Sequence, residues 1–110
     1  MRILMPVDGS EFSKAAVAFV ASRASLLKHP TEVELVNIQY PVPLRAARAL
    51  GKEIVQSYHE AEAAKALKSA AAALKRAGAD TKARHVVGTV AHELASIVAN
   101  DRADLIVMGS

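Results

Sequence analysis

The sequence contains no cysteine and no tryptophan, and its aromatic share is only 4%. The absence of cysteine excludes disulfide frameworks, thiolate metal sites and cysteine nucleophiles, and it is typical of a reducing cytoplasm. With so few aromatics, stacking platforms for single-stranded nucleic acid are disfavoured. No apolar run approaches the roughly 20 residues of a membrane helix. The apolar start reaches Asp8 too early for a secretory signal. We therefore expect a soluble, cytoplasmic protein that binds neither membranes nor nucleic acid.

The balance of residue types describes a folded domain of ordinary size. At 110 residues the chain has the length of one domain, and we expect residues 1–110 to form a single one. Apolar residues make up 52%, but 23 residues are alanine, so helices form easily and carry few large side chains. The 14 lysines and arginines against 11 acidic residues leave a net charge of +3, which excludes a polyanion-binding tail.

Four short apolar runs, separated by helical patterns, organise the chain. Crossovers of ten or more residues return successive strands in the same direction, so the sequence predicts a parallel sheet. The fold class is then α/β, a doubly wound, Rossmann-like sheet with helices on its faces. The predicted strands are Arg2–Val7, Val33–Ile38, Lys82–Val87 and Asp104–Met108.

Three helical patterns connect these strands. The first is capped by Ser10 and extends to about Lys28, and the second ends before Gly78. Spacing of apolar residues predicts which side of each helix is buried. The predicted apolar faces are Phe12, Ala16, Phe19, Leu26 and Leu27 in the first helix, Ile54, Tyr58, Ala61, Ala64, Leu67, Ala71 and Leu74 in the second, and Val90, Leu94, Ile97 and Val98 in the third.

Ligands of doubly wound sheets bind beyond the carboxyl ends of the strands, so those ends hold the candidate site. They are Val7–Ser10, Ile38–Gln39, Val87–Thr89 and Met108–Ser110. Asp8 is a lone carboxylate between a strand and the positive end of a helix dipole. It is either a cap for its own loop or an acceptor for a ligand's donor, and the sequence leaves both open.

Several catalytic and metal motifs are missing from the sequence. No G-x-G-x-x-G follows the first strand, and no P-loop pattern occurs. His92-Glu93 begins like a zinc-protease motif, but Ser96 stands where the second histidine belongs, and the four histidines show no ligand spacing. No serine lies in a nucleophile elbow. The sequence therefore predicts neither a metal site nor catalytic residues.

The whole chain resembles the universal stress protein family. The resemblance is carried by Ile3–Ser10, the strand end Val36–Ile38, the helix entry Gly88–Leu94 and the stretch Ala103–Ser110. It implies the sheet order 3-2-1-4-5, of which this sequence would supply 3-2-1-4, with a fifth strand beyond it. It also implies a site for ATP or a related adenine nucleotide at the strand ends.

Family positions carried onto this sequence assign roles to individual residues. The resemblance implies that Asp8 contacts the adenine and that Ile38 flanks the base. It also implies that Gly109 is the first glycine of a Gly-x2-Gly-x9-Gly-Ser/Thr phosphate grip. Val7, Met108 and Ser110 complete the expected nucleotide site. Val90 replaces a usual proline, and the remaining glycines of the grip would follow Ser110, so we expect a domain that is incomplete at its C-terminus.

The resemblance leaves more than one function open. The leading hypothesis is a stress-response protein that binds ATP, with or without Mg²⁺, and has no dedicated catalytic group. The alternative is a nucleotide-free interaction protein of the same fold that docks partners as a dimer. An ATP-using enzyme is disfavoured, because magnesium ligands and cationic phosphate clamps are missing from the strand ends. In each case the resemblance implies a homodimer paired through the final strand edge.

Overall fold

Strands and helices alternate along the chain in the computed structural model, which describes residues 1–24 and 31–109. Ser110 and the predicted end of the first helix near Lys28, with Leu26 and Leu27, lie outside the described residues. The elements in chain order are β1 (Arg2–Pro6), α1 (Glu11–Arg23), β2 (Glu32–Gln39), α2 (Leu44–Leu50), α3 (Lys52–Arg76), β3 (Asp80–Val87), α4 (Val90–Asp101) and β4 (Leu105–Ile106).

The four strands form one parallel sheet in the order β3-β2-β1-β4. Met5 of β1 lies beside Leu35 of β2, and Leu35 lies beside Ala83 of β3. On the other side of β1, Ile3 pairs with Leu105. The predicted α/β fold and strand order are therefore confirmed. The order reverses between β1 and β4, which makes that edge the switch point where such sheets bind ligands.

Alternate residues of the central strands build a core on each face of the sheet. Ile3, Met5 and Leu35 point to one face, where they pack against α1 and α3. Leu4 and Val36 point to the other, where they pack against Ile97 of α4. This alternation is the period of two that a strand imposes on its side chains. Both faces of β1 are therefore apolar, which explains its continuous apolar run, whereas β2 also carries Glu34 and the buried Asn37.

The buried face of α1 differs from the predicted one. Phe12 and Phe19 are 61% and 51% exposed, and the buried positions are Ser13, Ala16, Val17 and Val20. The partner surface on α3 is built largely of alanines, so small side chains allow the two helices to approach closely where phenylalanine would not fit. Phe19 instead lies in solvent beneath the Arg23 guanidinium, 3.8 Å from its ring centroid.

The long second helical pattern is divided and rotated relative to the prediction. Gly51, with a φ of 91°, separates α2 from α3, and α2 has no buried residue. Ile54 and Tyr58 are more than half exposed, whereas Leu67 and Leu74 are buried as predicted. Predicted steps of three residues drift around a helix of 3.6 residues per turn, so the face is misplaced toward its start. The buried residues of α3 are His59, Ala63, Ala66, Leu67, Ala70 and Leu74.

The predicted strand Asp104–Met108 is reduced to the two residues of β4. Its backbone pairing is longer than that, because the N–H of Asp104 donates to the Arg2 carbonyl at 2.8 Å. The N–H of Val107 likewise donates to the Leu4 carbonyl at 3.0 Å. β4 therefore holds the residues after it against the end of β1. No helix in the described part of the chain is long and apolar enough to cross a membrane.

Candidate functional site at the carboxyl end of the sheet

A small cleft opens where β1, β2 and β4 end. Its volume is about 110 Å³. Five of the six predicted site residues line it, and the sixth, Ser110, lies outside the described residues. None of Val87–Thr89, at the end of β3, lines the cleft, although the next residue, Val90, does. The lining residues are Pro6, Val7, Asp8, Ser13, Ile38, Val90, Met108 and Gly109.

Asp8 is held by the first turn of α1. Its Oδ1 accepts hydrogen bonds from the Ser10 N–H at 2.9 Å and from the Ser13 hydroxyl at 2.7 Å. The Asp8 N–H donates in turn to Ser13 Oγ at 3.0 Å. Ser10 caps the helix as predicted, since its hydroxyl accepts from the Ser13 N–H at 3.2 Å. The loop-capping role of Asp8, one of the two alternatives, is therefore present in the structure.

These hydrogen bonds also set the charge of the cleft. The hydroxyls of Ser10 and Ser13, followed by the Ser10 N–H, lower the pKa of Asp8 from 3.8 to about 2. Each of these donors stabilises the ionised form. Asp8 is thus a carboxylate at neutral pH, with acceptor sites and no proton to donate.

The wall of the cleft is formed by apolar side chains from strand ends. Val7 is buried and Ile38 is half-buried. The Val7 carbonyl is held from behind by the buried Asn37 amide, which donates to it at 2.9 Å. The backbone position from which Asp8 begins is therefore fixed on two sides, by Asn37 and by the first turn of α1.

Gly109 lies against the first turn of α1. A Cβ at this position would overlap the carbonyl group of Phe12, so only glycine lets the two backbones approach this closely. Gly9, after Asp8, has a φ of 81°, in the left-handed region that favours glycine. Gly109 therefore allows the close approach to α1, and Gly9 allows the left-handed backbone after Asp8. Neither requirement depends on a ligand.

Sequence reasoning missed three residues that line the cleft, Pro6, Ser13 and Val90. It also missed Asn37, which donates to the Val7 carbonyl from behind. Asn37 had a visible signal, because it is a polar residue within the apolar run of β2. Ser13 had one too, since a buried serine on an apolar helix face needs a partner. Val90 is the departure from the family pattern, and it lines the cleft as the first residue of α4.

The cleft presents one carboxylate, an apolar wall and exposed backbone, and no lysine, arginine or histidine of the described residues lines it. Its volume is below the roughly 300–1,000 Å³ of typical small-molecule sites. Ser13 is buried and its hydroxyl is engaged by Asp8, so it is not placed as a nucleophile. This arrangement suits recognition of a flat group that carries a hydrogen-bond donor.

A second depression, of about 300 Å³, lies at the opposite, amino end of the sheet. Five of its charged residues are paired with one another. Arg84 contacts Glu34 at 2.9 Å and Asp101 at 3.3 Å, and Arg2 contacts Glu32 at 3.1 Å. Desolvation raises the pKa of Glu34, and the neighbouring Asp101 adds to that effect. Because its ionic groups already satisfy each other, this depression is a weaker candidate site.

Comparison with known proteins gives one family. The model of the universal stress protein family matches residues 1–110. A comparison with curated protein sequences gives no match.

Solved structures share the fold over nearly the whole chain. A universal stress protein in complex with cAMP is 25% identical, with a TM-score of 0.66 over 97% of this chain and 74% of that one. UspA from Lactobacillus plantarum is 20% identical, with a TM-score of 0.78 over 98% and 75%. A family protein from Arabidopsis thaliana with AMP bound is 15% identical, with a TM-score of 0.74 over 100% and 76%.

Proposed function

The chain belongs to the universal stress protein family, and from that premise we propose that it binds an adenine nucleotide, ATP in the first place, at the cleft described above. One observation carries the proposal. Val7, Asp8, Ile38, Met108 and Gly109 come from three separate strand ends and line a single cleft at the switch point of the sheet. We propose no catalytic group.

The adenine would lie between Asp8 and Ile38. A carboxylate has about four lone-pair sites, and the donors to Asp8 named above are the Ser10 N–H and the hydroxyls of Ser13 and Ser10. Capacity therefore remains for the exocyclic amine of adenine. Val7, Ile38 and Met108 supply the apolar surface against which a flat base packs. The capping and binding roles of Asp8 are thus compatible.

The sugar and phosphates would lie outside this small cleft, over the backbone at Gly109. Backbone N–H groups at a turn of this kind can donate to phosphate oxygens. No group of three or more histidine and acidic side chains in residues 1–24 and 31–109 is arranged to hold a metal ion. We therefore assign no Mg²⁺ ligand to the protein. Relatives in complex with cAMP and with AMP support an adenine nucleotide and leave the choice among nucleotides to experiment.

Isothermal titration calorimetry with ATP, AMP and cAMP tests the proposal. A hydrogen bond to a charged acceptor is worth about 1.5–3 kcal/mol, so Asp8→Ala should weaken binding by roughly tenfold to a hundredfold. Asp80→Ala is the control, because Asp80 is exposed at the opposite end of the sheet. Ile38→Ala, which leaves the Asp8 loop intact, should also weaken binding. Unchanged affinity in both cleft variants would remove the site from this position.

We propose, in addition, that the protein pairs through β4. In the described part of the chain β4 hydrogen-bonds only to β1, and its Leu105 and Ile106 are 47% and 41% exposed. An apolar edge strand of this kind favours pairing with another chain. Sedimentation equilibrium should give twice the chain mass, and Leu105→Lys should shift it toward the monomer. A wild-type monomer at micromolar concentration would contradict the dimer without affecting the nucleotide site.

A further inference from the structure

A separate cleft of about 350 Å³ lies on the other side of the β2 end, and it shares no lining residue with the nucleotide cleft. It is an open depression bordered by the first two turns of α3, the segment after β2 and the end of β3. Its size falls within the roughly 300–1,000 Å³ of small-molecule sites. The lining residues are Pro41, Val42, Lys52, Val55, Gln56, His59, His85 and Val87.

His59 is the buried polar group of this cleft, with only 5% of its surface exposed. A chain of hydrogen bonds fixes the orientation of its ring. The Val7 carbonyl can only accept, so the Asn37 amide nitrogen faces it at 2.9 Å and the Asn37 Oδ1 faces Gln39. Gln39 Nε2 donates to that oxygen and to the His59 carbonyl, each at 2.8 Å.

The chain ends at the histidine ring. With Gln39 Nε2 engaged twice, Gln39 Oε1 must be the acceptor 2.6 Å from His59 Nδ1, so Nδ1 carries a proton. Neutral His59 therefore keeps its lone pair on Nε2, and its second proton, when it binds one, is placed there. No buried side-chain nitrogen or oxygen of the described residues lacks a hydrogen-bond partner. Because Nε2 has no such partner, part of its surface is accessible, and of the clefts described here this is the one that His59 lines.

The charges that line the cleft have one sign. Lys52 at the start of α3 is a permanent cation, and His59 and His85 can each add a positive charge on protonation. No acidic side chain of the described residues lines the cleft. Glu60 does not line the cleft, but it contacts a residue that does: Gln56 Nε2 donates to Glu60 Oε1 at 3.3 Å. The remaining surface is apolar and comes from Pro41, Val42, Val55 and Val87.

From these features we infer that the cleft is a second ligand site, for a small organic carboxylate with a flat apolar body. The carboxylate would be paired with the Lys52 ammonium, and the apolar body would lie on the proline and valines. Lys52 and His59 are separated by seven residues of one helix, a rise of roughly 10 Å. A ligand of one aromatic ring with its carboxylate therefore fits between them, with the lysine side chain bending toward it.

Benzoate and its neutral isostere benzamide are suitable probes, followed by NMR shifts of the histidine ring signals on titration of the wild-type chain. A ligand of this size should bind at about 1 mM. Benzoate should shift His59 and His85 and leave His92 of α4 unmoved, and benzamide should bind at least fivefold more weakly at pH 6. Saturating AMP should not displace benzoate, because the two clefts share no residue.

Matched variants separate the site from general charge effects. Lys52→Gln and His85→Gln should each weaken benzoate binding about fivefold, whereas Lys82→Gln and His92→Gln should not change it. Lys82 is an exposed lysine that lines the depression at the amino end of the sheet, and His92 is exposed on α4. Equal binding of benzoate and benzamide, or equal loss in the control variants, would overturn the inference. So would a titration in which Zn²⁺ shifts both histidines and benzoate shifts neither, because the cleft would then be a metal site.

Discussion

Replacing Asp8 by asparagine should reduce stability in a way that depends on pH. The variant keeps an oxygen for the Ser10 N–H and the Ser13 hydroxyl, 2.9 and 2.7 Å from Oδ1 in the wild type, but loses the charge that strengthens both bonds. A fall of the Asp8 pKa from 3.8 to about 2 would correspond to about 2.5 kcal/mol for a fully shielded group. Asp8 is exposed, and solvent screening reduces this to about 1 kcal/mol.

The sign and the pH range follow from the same values. The pKa of Asp8 is lower in the folded state than in the unfolded chain, so the folded state favours the ionised carboxylate. The stabilisation is complete above about pH 4, the ordinary value, and it is lost as the pH falls toward about 2. Wild type and Asp8→Asn should therefore differ by about 1 kcal/mol at pH 7 and converge at pH 2.

Thermal and urea denaturation between pH 2 and pH 7 would measure this difference. For a chain of this size, about 1 kcal/mol corresponds to roughly 4–8 °C in Tm. Asp80→Asn is the matched control, an exposed aspartate outside the cleft, and it should follow the wild-type curve. A constant gap between wild type and Asp8→Asn from pH 7 to pH 2 would refute the reasoning, because the loss would then be steric rather than electrostatic.

Two further predictions concern packing. Leu74→Ala should destabilise the fold by about 2–5 kcal/mol in urea denaturation, because Leu74 is fully buried on a helix face made mostly of alanine. Ile54→Ala, at a position 55% exposed, should change stability by less than about 0.5 kcal/mol, and a loss as large as that of Leu74→Ala would contradict the observed face of α3. Gly109→Ala should lower both Tm and nucleotide affinity, because its Cβ would overlap the Phe12 carbonyl. Gly78→Ala should lower Tm alone, because an added Cβ there meets no neighbouring atom and only the φ of 88° is unfavourable for alanine. Unchanged nucleotide affinity in Gly109→Ala would remove Gly109 from the proposed site.

Local pattern in the sequence was sufficient for the elements and for the place of the candidate site. The run before Asp8 is apolar on both strand faces, and the run before Gln39 is largely so; this pattern predicts a covered parallel sheet before any contact is known. Ser10 is a helix cap by residue type alone. The resemblance then supplied the strand order, which brings Val7, Ile38 and Met108 to one edge.

Only the tertiary structure decided which helix faces are buried and how the polar residues pair. Phe12 and Phe19 are the most hydrophobic residues of α1 and nevertheless lie in solvent, because the distance between α1 and α3 selects small side chains. Periodicity records hydrophobicity along one helix and contains no information about the surface opposite it. The hydrogen-bond chain from Val7 to His59 is likewise invisible in the sequence, since Gln39 and His59 become neighbours only when α3 packs on the sheet.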